Sequence, residues 1–201
     1  NKAFAEMGGT NETTTDEDAT SEGGMKFSER EIIGISGKNY GMGVYLDSNL
    51  LTGLTEDERK QMINDMKKDG IKDIWVQSAY RSVERQKELY DNSVNKYLKQ
   101  GKSQEEAERL TDEYINKPGS SDHNLGLAVD FNNVDNNFED LDAFKWLKKN
   151  AENYGFVLRY PKHKENITKI SYESWHWRYV GEEHAKKMNE LDMCLEEYIE
   201  Y

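Results

Sequence analysis

The chain has 201 residues, and its 27 lysines and arginines face 39 aspartates and glutamates, for a formal net charge of −12. This charge disfavours nucleic acid and anionic membrane surfaces as partners, because both are negative themselves. No apolar run reaches the roughly 18 residues that a membrane-spanning helix needs, and no secretory signal sequence is recognisable. Cys194 is the single cysteine, so an internal disulfide is excluded.

Residues 1–26 differ in composition from the rest of the chain. They contain two Gly-Gly pairs, an acidic run around Asp16 and few apolar residues. Such a segment buries too little apolar surface to offset its ordering entropy, so we predict a disordered acidic linker. Because the chain begins with Asn1 rather than Met, we expect a further N-terminal piece. The linker is then either a spacer from a membrane anchor or an inert tail.

Residues 27–201 are predicted to form one domain, whose first half holds a strand and three helices. The strand centres on Ile74–Val76, where β-branched and aromatic residues cluster, and Val44–Leu46 is predicted to be a short strand or a turn. The helices begin at Thr55, Ser82 and Ser103, whose hydroxyls can cap a helix N-terminus. Their predicted ends are Gly70, Gly101 and Pro118-Gly119. The apolar positions at helical spacing are Met62, Ile63 and Met66 in the first helix, and Ala107, Leu110 and Tyr114 in the third.

Alternation of side chains predicts a strand over residues 125–131. One face of this strand carries Leu125, Leu127, Val129 and Phe131, and the other carries Gly126, Ala128 and Asp130. Asp130 would therefore lie beside two small residues, which leave room for a metal and a substrate.

The remaining predicted elements complete an α+β fold, with helices packed on a small antiparallel sheet. They are strands over 156–160 and 175–180, helices over 141–153 and 182–198, and a polar loop over 162–169. In the last strand, Trp175, Trp177 and Tyr179 share one face, while His176 and Arg178 share the other.

Two segments contain the side chains of an open metal site. The first holds His123 and Asp130, and the second holds Glu173 and His176. Two imidazoles and one carboxylate are a ligand set of catalytic zinc, which leaves its fourth position for water. His123 and Asp130 are an odd number of residues apart, so His123 must lie in the loop before the strand and fold back over Asp130.

Glu173 is interpreted as a base beside this site, in a turn before the strand that holds His176. It would accept the proton of the metal-activated water and pass it to the leaving amine, which suits amide hydrolysis. Taken singly, each of these residues has an ordinary structural explanation, and only their combination favours a metal site. His163 and His184 are interpreted as solvated, and Cys194 as a buried small residue on the last helix.

Arg81 lies where a predicted strand gives way to a helix. Its guanidinium can bind a carboxylate in a bidentate pair, although an ordinary salt bridge explains this segment equally well. Gln86 lies about one turn into the helix, on either a solvated face or the same side as Ser82.

Taken together, the segments resemble the VanY-type D-alanyl-D-alanine carboxypeptidases, with their LdcB-type L,D-carboxypeptidase and bifunctional VanXY dipeptidase/carboxypeptidase relatives. The resemblance covers roughly residues 40–200. The motifs are Tyr80-Arg81-Ser82 with Gln86, Ser121-x-His123-x-x-Gly126-x-Ala128-x-Asp130, and Glu173-x-Trp175-His176-x-Arg178-Tyr179-Val180-Gly181. The resemblance implies that residues 27–201 form a zinc carboxypeptidase domain.

This resemblance also implies roles for individual residues. The Zn²⁺ ligands would be His123, Asp130 and His176, with Glu173 as the catalytic base. Arg81, with Ser121 and Gln86, would receive the terminal carboxylate of a peptidoglycan stem peptide. The implied location is the bacterial cell envelope, outside the cytoplasm and anchored in the full-length protein, while a cytoplasmic location stays open.

Three activities fit the same zinc scaffold. The leading interpretation is a D,D-carboxypeptidase that removes the C-terminal D-alanine, and the alternatives are L,D-carboxypeptidase and D,D-dipeptidase activity. The loops that line the pocket would decide between them. A non-hydrolytic binding module is the alternative from another class, because Hedgehog signalling domains resemble this scaffold and carry zinc. The presence of both Arg81 and Glu173 argues against a pure binder.

Overall fold

The computed structural model describes residues 56–201, which form seven α-helices and four strands. The helices are α1 (Glu56–Lys68), α2 (Val83–Lys99), α3 (Gln104–Asp112), α4 (Asp142–Asn150), α5 (Glu165–Thr168), α6 (Glu182–Leu191) and α7 (Leu195–Glu200). The strands are β1 (Val76–Ser78), β2 (Ala128–Phe131), β3 (Phe156–Leu158) and β4 (His176–Tyr179). The predicted linker, the predicted strand or turn at Val44–Leu46 and the predicted cap Thr55 lie outside the described residues.

The four strands make one antiparallel sheet in the order β1-β2-β4-β3. In this register Asp130 on β2 pairs with His176 on β4, and Ser78 on β1 pairs with Asp130. The predicted α+β fold class is therefore confirmed. None of the helices described between residues 56 and 201 is both long and apolar enough to cross a membrane.

The main hydrophobic core covers one face of this sheet. Val129 and Phe131 from β2 and Trp177 from β4 are buried there. Helix α1 contributes Met62 and Met66, both fully buried, as its predicted apolar spacing requires. Burial of each such side chain contributes about 1.5–3 kcal/mol to folding. Because successive strand residues point to opposite faces, this core directs the side chains of Asp130 and His176 to the other face.

The first motif forms a tight turn, followed by a strand shorter than the one predicted over 125–131. Asp122–Leu125 is a single 3₁₀ turn, and Gly126 follows it with a left-handed φ of 69°. Strand β2 therefore begins only at Ala128. All four of its residues are buried, because the core covers one face and the candidate site lies on the other.

The strand predicted around Ile74–Val76 begins later along the chain and is less buried than expected. Only Ile74 is buried, while Trp75 and Val76 are 46% and 37% exposed. Strand β1 is the edge of the sheet and starts at Val76. The side chain of Asn132 holds this edge, because its Oδ1 accepts from Trp75 N at 3.0 Å and its Nδ2 donates to Asp73 O at 2.9 Å.

Two helix starts are confirmed by capping hydrogen bonds. Ser82 Oγ accepts from Arg85 N at 3.1 Å, and Ser103 Oγ accepts from Glu106 N at 3.2 Å. Gly101 follows the second helix with a positive φ of 84°, as a helix end favours. Helix α3 ends at Asp112, so Tyr114, predicted at helical spacing within this helix, lies beyond it and is exposed.

The last third of the chain is broken into shorter elements than predicted. The helix over 141–153 divides into α4 and a 3₁₀ turn at Ala151–Tyr154, and the predicted polar loop holds a 3₁₀ turn at Lys162–Lys164 and α5. Asp192 adopts a left-handed φ of 49° and separates α6 from α7. The strands over 156–160 and 175–180 shorten to β3 and β4.

Gly155, directly before β3, packs closely against Tyr179 at the end of β4. Its φ is +77°, and an added Cβ would lie 2.6 Å from Tyr179 Cε2 and 3.0 Å from the carbonyl carbon of Gly181. Gly70 has a φ of +91° with nothing within 4 Å of the same position. Gly70→Ala should therefore lose only the backbone term of about 1–2 kcal/mol, whereas Gly155→Ala should lose about 1–3 kcal/mol more.

Urea unfolding of both metal-free variants measures this difference. Equal losses of unfolding free energy would contradict the close packing of Gly155 against β4.

Candidate active site

The candidate site is the cluster of His123, Asp130 and His176 on the sheet face opposite the core. His123 Nε2 lies 3.1 Å from Asp130 Oδ2, and His176 Nδ1 lies 3.2 Å from Asp130 Oδ1. One ligand atom from each residue lies within 4.8 Å of the others, and all three side chains are buried. The structure thus brings the three predicted ligands together.

The turn at Asp122–Leu125 folds His123 back over Asp130. Ser121 Oγ caps this turn by accepting from His123 N at 3.3 Å. Arg81 N donates to His123 O at 3.0 Å, which ties the turn to the chain that follows β1. His123 Nδ1 lies 2.6 Å from Ala79 O and donates to it, so that Nε2 is the ring nitrogen that faces Asp130.

The electrostatics of this cluster favour a bound cation. Burial opposes ionisation of Asp130, but His123 and His176 hold its pKa below the ordinary value. Burial likewise disfavours the imidazolium of His176, but Asp122, Asp130 and Glu173 raise its pKa to about 9. Carboxylates that favour a protonated imidazole also favour a metal ion in the same place.

The donor set fits a zinc ion. Two imidazoles with one carboxylate match the open catalytic type of zinc site. Asp130 Oδ1 is buried without a hydrogen bond among the described residues, so it has an unused acceptor that faces the cluster. A cavity of about 270 Å³ borders the cluster and gives a substrate access to its open side.

Glu173 lies beside the cluster in a turn before β4, as predicted. His176 N donates to Glu173 O at 3.4 Å, and Glu173 Oε2 lies 3.4 Å from His176 Nδ1. Burial raises the pKa of Glu173 to about 8, with the charge of Asp130 adding to the effect and those of His176 and Arg81 opposing it. A raised pKa makes this carboxylate a stronger base than an exposed one.

Arg81 lies on the other side of Asp130. Its Nη2 is 3.4 Å from Asp130 Oδ2 and donates to Ser78 Oγ at 3.1 Å. Its Nη1 donates to Gln86 Oε1 at 2.9 Å, and Gln86 Nε2 donates to Asn116 O at 2.7 Å. Both ends of the buried Gln86 amide are therefore engaged within the protein, which makes Gln86 a support for Arg81.

The remaining predicted site residues line the cavity. Ser121 is buried at its wall, with a hydroxyl proton that can donate because its oxygen already accepts from His123. The cavity wall also carries Arg81, Gln86, Tyr114, Val134, Tyr160 and Trp175. Tyr114 and Val134 are the exposed members of this wall and give its mouth an apolar rim.

A buried ionic network behind the cluster was missed by the sequence analysis. Asp122 Oδ2 accepts from Arg159 Nε at 3.0 Å, and Asp122 Oδ1 accepts from Arg178 Nη1 at 2.5 Å. All three side chains are at most 2% exposed. A charged Arg178 in a largely buried strand was the only local signal, since Asp122 and Arg159 meet only in the fold.

The exposure predicted for His163 and the burial predicted for Cys194 are confirmed, whereas the prediction that His184 is solvated is wrong. His163 is exposed beside Asp192, as predicted. His184 is not fully solvated: its half-buried ring packs on Tyr198, and its Nδ1 lies 2.8 Å from the Tyr198 hydroxyl. Cys194 is buried as predicted, but it caps the N-terminus of α7 rather than lying within a helix.

The chain belongs to the VanY family of D-alanyl-D-alanine carboxypeptidases, whose family model matches residues 48–182. It is 44% identical over 150 residues to YodJ of Bacillus subtilis, covering 72% of this chain and 51% of that protein. It is 40% identical over 131 residues to a D-alanyl-D-alanine carboxypeptidase of Enterococcus faecalis, covering 65% of this chain and 48% of that protein. The chain thus spans about half the length of these relatives.

Solved structures agree with the family. VanYB in complex with D-alanine-D-alanine superposes with a TM-score of 0.66 at 35% identity, covering 73% of this chain and 80% of that chain. The L,D-carboxypeptidase LdcB superposes with a TM-score of 0.64 at 39% identity, covering 73% and 66%. A VanY D,D-pentapeptidase solved in complex with Zn(II) has a TM-score of 0.63 at 35% identity, covering 72% and 81%.

The cluster geometry predicts which histidine binds metal. His176→Ala should lose zinc, because it removes one of three convergent ligand atoms. His163→Ala, which changes an exposed histidine that is paired with Asp192 outside the cluster, should keep about one equivalent of zinc, because all three proposed ligands remain. Elemental analysis after dialysis measures both. A full equivalent of zinc in His176→Ala would refute the ligand assignment.

Proposed function

We propose that this protein is a zinc-dependent D,D-carboxypeptidase that removes the C-terminal D-alanine from peptidoglycan stem peptides. The observation that carries the proposal is the placement of two groups around one ligand cluster. Arg81 lies 3.4 Å from Asp130, and Glu173 lies 3.4 Å from His176. A carboxypeptidase needs both a cation that recognises a free chain end and a base beside the metal.

The proposed ligands of zinc are His123, Asp130 and His176. When bound, zinc activates a water molecule and polarises the carbonyl oxygen of the scissile amide. Glu173 accepts the proton of this water and later gives it to the leaving amine, which departs as D-alanine. Its burial supports this role, because it raises the pKa of the carboxyl to about 8, near the working range of a general base.

Arg81 is proposed to bind the terminal carboxylate of the substrate. The contacts of Arg81 with Ser78 and Gln86 hold its guanidinium in place before the substrate arrives. A pre-oriented cation positions the last amide over the cluster and reduces the entropy lost on binding. The Ser121 hydroxyl, on the same cavity wall, is proposed as a further donor to the substrate.

The family supports the choice of substrate. The structure of VanYB contains D-alanine-D-alanine, and the structure of LdcB reveals the molecular basis of peptidoglycan recognition by that enzyme. Because peptidoglycan lies outside the cytoplasmic membrane, we place the activity in the extracytoplasmic cell envelope.

L,D-carboxypeptidase activity is the second candidate. It is favoured by the 39% identity to LdcB, which exceeds the 35% identity to VanYB. The D,D-dipeptidase VanXYg also shares the fold, with a TM-score of 0.62 and 32% identity. A non-hydrolytic module is disfavoured by Glu173. Burial of a carboxylate destabilises the fold, and a protein that only binds its ligand has no use for a base beside the metal site.

A digest of defined substrates separates these activities. The zinc-loaded protein is incubated with a stem pentapeptide ending in D-Ala-D-Ala, the corresponding tetrapeptide, the free dipeptide D-Ala-D-Ala, and a C-terminally amidated pentapeptide. We expect the pentapeptide to lose its terminal D-alanine, and the other three substrates to be cleaved little. Mass spectrometry of the products measures this.

Each contrary result of the digest has a distinct meaning. Release only from the tetrapeptide would replace the proposal with L,D-carboxypeptidase activity, and release only from the free dipeptide with dipeptidase activity. Equal cleavage of the amidated pentapeptide would remove carboxylate recognition by Arg81.

Glu173→Gln tests the proposed base directly. The amide cannot accept the proton of the water, so kcat should fall by at least about a hundredfold, the scale of general acid–base catalysis. Zinc content should stay at that of the wild type, because Glu173 is outside the proposed ligand set. Turnover of the pentapeptide and elemental analysis measure the two quantities. Unchanged turnover would remove Glu173 from the mechanism.

A further inference from the structure

Asp122 connects a buried ionic network to one side of the metal-ligand cluster. Arg178 and Arg159 both donate to its carboxylate, at 2.5 and 3.0 Å. Arg159 has a second partner in Glu196 of α7, to which its Nη1 and Nη2 donate at 2.9 and 2.6 Å. The carboxylate of Asp122 is therefore held by two guanidinium groups, one of which is itself held by the last helix.

The face of His176 that points away from Asp130 meets this network. His176 Nδ1 lies 3.2 Å from Asp130, whereas His176 Nε2 lies 3.7 Å from Asp122 Oδ2. Nε2 is buried without a hydrogen bond among the described residues, which is costly for a polar atom. A shift of less than about 1 Å would bring this pair to hydrogen-bond distance.

The imidazole of His123 is also arranged with one nitrogen toward Asp130 and the other toward an acceptor outside the cluster. His123 donates its Nδ1–H to Ala79 O at 2.6 Å and turns Nε2 toward Asp130. Metal-binding histidines commonly give their other N–H to a fixed acceptor, which sets the tautomer and increases the basicity of the ligand nitrogen. A carboxylate such as Asp122 is a stronger acceptor than a carbonyl.

We propose that Asp122 is a positioning residue for the metal site: it receives the Nε2–H of His176 and thereby presents the lone pair of Nδ1 to the ion. This role rests on the proposed zinc site. The arginine pair keeps the Asp122 carboxylate from turning toward the cluster as a fourth ligand, because both of its oxygens are occupied by guanidinium donors. The open coordination position is then left for water and substrate.

Zinc affinity of matched variants tests this role. Asp122→Asn should weaken zinc binding by about 10- to 100-fold, the usual effect of removing a group that supports a metal ligand. Glu196→Gln is the matched control, because it removes the other carboxylate on Arg159 without changing a group near His176, and its affinity should stay close to that of the wild type. Asp122→Glu, which keeps the carboxylate, should recover part of the loss.

Competition with a chromophoric chelator measures each zinc dissociation constant, and urea unfolding of the metal-free proteins measures any loss of fold. Equal zinc affinity in Asp122→Asn and wild type would overturn the positioning role alone. An equal weakening in Glu196→Gln would also overturn it, because a general loosening of the network would then explain both. Wild-type protein that binds no zinc would overturn the proposed function as well.

Nitrogen-15 NMR of the zinc-loaded wild type gives a test that needs no variant. We expect a protonated His176 Nε2 with a slowly exchanging proton, and Nδ1 shifted by the metal. A zinc-bound Nε2 would overturn the role of Asp122, even if the protein hydrolyses stem peptides.

Discussion

The pairing of β2 with β4 places Asp130 opposite His176, and the site is organised around this pair. Val129 and Trp177, a second pair in the same register, belong to the main core. Alternation along each strand therefore sends the apolar pair to one face and the pair of proposed ligands to the other. A register slip of one residue would exchange them and lose the core and the site together. Hydrophobic burial thus enforces the geometry of a polar site.

Charge is concentrated around the site, and most of it is arranged in ion pairs. Arg81 faces Asp130, and the carboxylate of Asp122 faces Arg159 and Arg178. Breaking such buried pairs costs about 3–5 kcal/mol, so this arrangement resists change at every member. Glu173 differs from the others, because its buried carboxyl has a raised pKa and lies beside the cluster rather than within a closed ion pair. A general base needs both of these properties, a raised pKa and a position beside the metal site.

The sequence predicts the ligands and the turn at Glu173 because these depend on local alternation and on motifs that resemble a known family. It predicts that His123 lies in a loop that folds back over Asp130, but not that this loop is a turn at Asp122–Leu125, since a single 3₁₀ turn has no periodicity to recognise. Trp75 has a strong strand preference, yet it lies exposed beside the edge strand, because position in a sheet is a tertiary property. The Asp122 network escapes sequence analysis for the same reason, as its members come from separate elements.

Anomalous diffraction at the zinc edge, from crystals of the zinc-loaded protein, would locate the metal directly. We expect one strong peak at about 2.0–2.2 Å from three atoms, as zinc–nitrogen and zinc–oxygen bonds require. These atoms are His123 Nε2, His176 Nδ1 and a carboxylate oxygen of Asp130. A peak bound elsewhere on the chain, or one coordinated by Glu173 in place of Asp130, would contradict the proposed ligand set.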